Sequence, residues 1–156
     1  MEMPVFTIRG KNHRERGVDY GVQCKELIQG VLERYIRFFN GGHTAVSWDE
    51  AKVISKEFLP FIRSYSPELL DELEGIAQGA DVEFDDLLTL NSRSEAMTLV
   101  RRPPSDKEEL DGCSSVAVLP DASANGHTIL AQNWDTYTWQ EYGTVILQIL
   151  RDDGPD

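Results

Sequence analysis

The sequence predicts an α+β chain, helical in its first part and strand-forming in its second. Three observations carry this. Apolar residues recur at three- and four-residue steps through much of the first hundred positions, the period of an amphipathic helix. A charged stretch at 101–112 breaks the pattern, with Pro103-Pro104 inside it and Leu110 as its one aliphatic residue. From Cys113 the period falls to two, as in a half-buried strand.

Val5 to Ile8 is a short β-branched and aromatic run that reads as a strand. Residues 13–39 hold the clearest helical stripe: Cys24, Ile28, Leu32, Tyr35, Ile36 and Phe39 fall on one face with Leu27 and Val31. The stretch reads as a single helix with Cys24 as a packed thiol, ended by a left-handed cap at Asn40-Gly41-Gly42. Ser47 and Glu50 stand at capping-box spacing and open a second helix, which Pro60 stops or kinks. Ser66-Pro67-Glu68 opens a third, with Leu69, Leu70, Leu73, Ile76 and Ala77 on its inner face and Gly79 closing it. A fourth is expected from Phe84 to about Met97, burying Leu87 and Leu88. Residues 101–112 read as an exposed linker.

Antiparallel strands are expected at 114–119, 128–133 and 144–150, the first two joined by a turn-rich connection with Asn125-Gly126 near its end. The last runs into Asp152-Asp153-Gly154-Pro155 with no strand after it, so it is expected to lack a partner and to form an aggregation-prone edge. The division is a helical region at 1–112 and a sheet region at 113–156.

Fifteen basic against twenty-seven acidic side chains give a net charge of −12. That argues against nucleic acid or an anionic membrane as partner, since both need a basic footprint. Two cysteines make no disulfide framework. The first residues, MEMPVFTIRG, lack the apolar core of a signal peptide, and no apolar run reaches membrane-span length, so a cytoplasmic setting is expected. His13, His43 and His127 show no metal-ligand spacing, so no metal site is expected.

The chemistry concentrates at Asp111-Gly112-Cys113-Ser114-Ser115. A thiol carries appreciable thiolate at neutral pH, and the glycine before it lets its carbonyl be approached at little steric cost. Attack by Cys113 on the Gly112 carbonyl, then hydrolysis of the thioester, leaves Cys113 as a chain terminus. An α-amino group with a pKa of about 7.7–8 can act as base for its own thiol. The residues alone favour a buried structural cysteine at 113. Twenty residues on, Gln132-Asn133-Trp134-Asp135 offers a carboxylate. It can hold an ammonium group, or simply cap the turn at Thr136–Tyr137. A Cys113–His127 dyad stays open, and Trp134, Tyr137, Trp139 and Tyr142 suit either an acyl pocket or a core.

The Asp-Gly-Cys-Ser-Ser-Val-Ala-Val segment followed by Ile-Leu-Ala-Gln-Asn-Trp-Asp resembles the processing site of the acyl-coenzyme A:6-aminopenicillanic-acid acyltransferase family. Gly10 to Gly21, Glu74 to Ala80 and Leu90 to Glu95 are similar to further stretches in the family's order. The resemblance implies an N-terminal-nucleophile hydrolase, self-cleaved between Gly112 and Cys113 into an αβ heterodimer, here an incomplete four-layer αββα sandwich. It implies Cys113 as nucleophile and Asp135 as the residue orienting its amine, with Gln132 and Asn133 beside the site. Superfamily members often carry arginine where Gln132 stands, and a neutral amide supplies no such charge. The substrate implied is a small N-acyl amide, with acyl-coenzyme A as a further donor and no metal or prosthetic group. The family takes its oxyanion asparagine from beyond Asp156, so the chain is expected to be a fragment. A rival expectation is a binding module in which Cys113 stays internal.

Overall fold

Residues 3–99 and 113–151 are described by the structure, a computed structural model. The chain divides into two compact units, Met1–Arg102 with Tyr142–Asp156, and Pro103–Glu141.

The first unit is mostly helical. Strand β1 (Val5–Ile8) leads into α1 (His13–Gln23), whose first turn is closed by Asn12: its side chain accepts from the Glu15 N–H at 2.9 Å. The single helix expected over 13–39 is two, with α2 at Lys25–Phe38. Cys24 between them leaves the helical basin (φ −106, ψ 15). Hydrogen bonds of 2.9 Å from Cys24 N to Tyr20 O and from Ile28 N to Cys24 O nevertheless span the break. A π-turn at Phe39–His43 ends α2, with Gly42 at φ 78, a conformation an L-residue adopts only under strain.

The capping box at Ser47 and Glu50 is formed, and opens α3 (Trp48–Lys56). Pro60, expected to stop or kink that helix, sits in the first turn of a separate α4 (Leu59–Tyr65), where its missing N–H has no helical partner to lose. Helix α5 (Pro67–Ala80) runs one residue past Gly79 and is capped by Asp81 at φ 57. The fourth expected helix is two, α6 (Phe84–Asn91) and α7 (Arg93–Leu99). At Ser92 between them the hydroxyl bonds the Leu88 carbonyl at 2.8 Å, a back-bond that bends helices.

Helices α1 and α5 meet along glycines. Gly17 and Gly21 face Gly75 and Gly79, and a Cβ at any of the four would run into the opposite main chain. This close approach is flanked by a His13–Glu72 hydrogen bond and by ion pairs from Arg14 to Glu74 and from Lys25 to Asp81. Beside it Cys24, Ile28, Ala77, Ala80 and Leu87 form a buried cluster, with Tyr20, Leu73 and Ile76 packed on it. Each large aliphatic side chain buried there contributes about 1.5–3 kcal/mol. A second contact joins α3 to α6: the Trp48 indole donates to Asp86 at 2.8 Å and Lys52 reaches the same carboxylate at 2.6 Å.

The last strand, β4 (Ile146–Ile149), is not the unpartnered edge expected for 144–150. It pairs in parallel with β1, Val5 opposite Ile146 through Ile8 opposite Ile149. The ladder is extended by Ile146 N to Pro4 O and Leu150 N to Ile8 O, both 2.9 Å. The N-terminal strand thus satisfies backbone groups that a purely antiparallel reading left open.

The second unit is built on a hairpin. Strand β2 (Ser114–Val118) pairs antiparallel with β3 (Ile129–Asn133), from Ser114 opposite Asn133 to Val118 opposite Ile129. The connection contains a 3₁₀ turn at Pro120–Ala122 and Gly126 at φ 70, with the Asn125 side chain accepting from the His127 N–H. The α+β class holds, with one parallel and one antiparallel pair among the described strands.

Candidate active site

The hairpin ladder decides what lies near Cys113. Ser114 is paired with Asn133, so one step further along the register Cys113 comes opposite Trp134, at the open end of the ladder. Its thiol lies 3.9 Å from the main-chain carbonyl oxygen of Asp135, within reach of a weak S–H donor. Cys113 is exposed, not buried. Gly112 and the scissile bond fall outside the described residues.

The Asp135 carboxylate does not turn to the thiol. It accepts a 2.7 Å hydrogen bond from the side-chain amide of Asn133. Residues two apart in extended chain share a face, which brings these side chains together. Gln132 stands opposite Ser115, and by the same alternation it lies on the other face from Asn133. The structure thus joins the side chains of Asn133 and Asp135 and brings the Cys113 thiol to the Asp135 main chain. Alternation left the direction of Asn133 open, but its two-residue spacing from Asp135 was the signal that pairs them.

The other candidates are separated from this end. His127 belongs to the connection at the far end of the hairpin, on the order of 20 Å away at the usual strand rise, so the Cys113–His127 dyad is not formed. Tyr137 and Trp139 stack on each other, centroids 6.0 Å apart, and Trp134 and Tyr137 remain more than half exposed. Tyr142 lies under the Arg34 guanidinium, 4.1 Å from ring centre to cation, within the helical unit.

Cys24 is the opposite kind of thiol. It is 2% exposed in the α1–α5 core, and burial pushes its pKa up, away from thiolate. Of the two cysteines, only Cys113 is open to a reacting partner.

No family model matches the chain. Curated relatives do, among them the following two. A β-alanyl-dopamine/carcinine hydrolase of Drosophila melanogaster is 28% identical over 96% of this chain and 38% of its own length. The 40 kDa form of the acyl-coenzyme A:6-aminopenicillanic-acid acyltransferase of Emericella nidulans is 29% identical over 85% of this chain and 35% of its own. No helix among the described residues is long and apolar enough to cross a membrane. Matching both relatives over most of its length while spanning little more than a third of theirs, the chain resembles members of the acyl-coenzyme A:6-aminopenicillanic-acid acyltransferase family.

Proposed function

We propose that this chain carries the nucleophile of a self-processing cysteine amidohydrolase or acyltransferase, cleaved between Gly112 and Cys113. Both relatives' names describe moving an acyl group, one by hydrolysis and one from coenzyme A. The observation that carries the reading is the exposed Cys113 thiol 3.9 Å from Asp135 at the end of the hairpin.

In self-cleavage the Cys113 sulfur bonds to the Gly112 carbonyl carbon, and the C–N bond breaks as the Cys113 nitrogen takes the thiol proton. Water then hydrolyses the thioester, leaving a Gly112 carboxylate, a free thiol and a new α-amine. In turnover that amine accepts the thiol proton, and Asp135 orients the Cys113 nitrogen both in the cut and in turnover. The sulfur attacks the amide carbonyl of a small N-acyl substrate, the amine leaves with the proton, and water or a second amine takes the acyl group from the thioester. Oxyanion donors worth about 10²–10³-fold in rate are needed as well. In this reading the helical region 1–112 and the sheet region 113–156 become the two chains of an αβ heterodimer, one part of a four-layer αββα sandwich.

Intact-mass spectrometry of the purified parent and of Cys113→Ala tests it. The parent should separate into pieces ending at Gly112 and beginning at Cys113, while Cys113→Ala stays whole. Equal cleavage of both would assign the cut to an outside protease. A parent that stays whole would favour a binding module with Cys113 internal.

A further inference from the structure

We infer that Asn133 is a positioning residue for Asp135. The inference rests on the proposed function and adds a member to its site. Strand β3 ends at Asn133, so the ladder fixes Asn133 opposite Ser114, the neighbour of Cys113. Asp135 lies two residues past that last pair, where no strand hydrogen bond holds it. What connects its carboxylate to the ladder is the 2.7 Å bond from Asn133 Nδ2 to Asp135 Oδ1. An ionised carboxylate only accepts, so the amide must present its NH₂ group here. Oδ2 has no partner among the described residues, and in the proposed function it accepts from the Cys113 nitrogen, an amide N–H before the cut and an amine after it. The main-chain carbonyl of the same aspartate meets the thiol, so Asp135 is tied at two points to the end of the ladder where Cys113 lies. Asn133 carries out no proton transfer; it acts through the placement of Asp135.

The test is a time course of self-cleavage by intact mass on the full chain. The pair is exposed, so Asn133→Ala should slow cleavage by a modest factor, roughly three- to tenfold. Asn133→Asp keeps the shape, removes the donor and puts a like charge beside Asp135, so it should be at least as slow as Asn133→Ala. A purely space-filling role predicts the reverse order. In an Asp135→Ala background, Asn133→Ala should add no further loss. Parent-like cleavage by Asn133→Ala, faster cleavage by Asn133→Asp than by Asn133→Ala, or losses that simply multiply would each overturn the inference.

A second measurement needs no cleavage. The Asn133 side-chain NH₂ proton resonances should shift between Cys113→Ala and Cys113→Ala/Asp135→Ala, and unmoved resonances would show that the tether does not exist. If the parent never cleaves itself, the proposed function fails and the positioning role fails with it. If cleavage needs Cys113 but ignores Asn133, only this inference fails.

Discussion

Gly17→Ala tests the contact on which the helical unit is built. An added Cβ would lie inside contact distance of the Glu72 carbonyl oxygen and 3.0 Å from Ile76 N, both main-chain atoms that cannot swing away. Two effects oppose each other. Alanine favours the helix over glycine by about 1 kcal/mol. Overpacking costs about 1–3 kcal/mol, and a rigid neighbour argues for the upper end or beyond. The clash should win, with a net loss of roughly 2 kcal/mol. At this chain length that lowers the melting temperature by about 4–8 °C. Circular dichroism melts of Gly17→Ala beside Gly41→Ala would read it. A Cβ at Gly41 meets only the His43 side chain, at 3.3 Å, so that variant should melt near the parent. An unchanged or raised melting temperature for Gly17→Ala would show that the α1–α5 approach is looser than described.

Cys113→Ser should process more slowly than the parent by roughly tenfold or more, because a hydroxyl carries far less anion at neutral pH, and gel time courses would check this. Cys24→Ala should process at the parental rate with a moderate loss of stability, read by the same gels and a urea melt. A thiol-exchange reagent should label one cysteine at once, the exposed Cys113, and reach Cys24 only in denaturant. Hydrogen bonds from the Ser47 backbone and hydroxyl hold the Glu50 carboxyl below its usual 4.5. Its contribution is therefore present above that pH and lost as pH falls through the depressed folded value. Ser47→Ala should flatten this part of the acid stability curve, read from melts between pH 6 and 3.

Local signals in the sequence were legible where the chemistry is local. Ser47 with Glu50, and Ser66-Pro67, mark helix starts because capping geometry involves only neighbours. Gly79 misled for a physical reason. A glycine near a helix end reads as a cap, but this one admits the Val18 carbonyl of α1, and the left-handed residue is Asp81. The breaks at Cys24 and Ser92 contain neither proline nor glycine, and the apolar period runs through both. Parallel pairing of β1 with β4 joins residues some 140 positions apart, which no local pattern encodes. At the site, Cys113 and Asp135 were named from their motifs. That the thiol meets the aspartate's main chain, while the carboxylate turns to Asn133, depends on hairpin register and is visible only in three dimensions.

The same β1–β4 pairing bears on what a cut after Gly112 would release. Strand β1 lies upstream of that bond and β4 downstream, so the two products would share a sheet. The downstream piece would also leave Tyr142 beneath Arg34 and Gly143 against Val31, two residues of α2 on the upstream piece. Breaking the peptide bond therefore need not free either end: the ladder and these side-chain contacts would act as a clasp across the nick. Such a chain would run as two bands under denaturing conditions and elute as one particle under native ones.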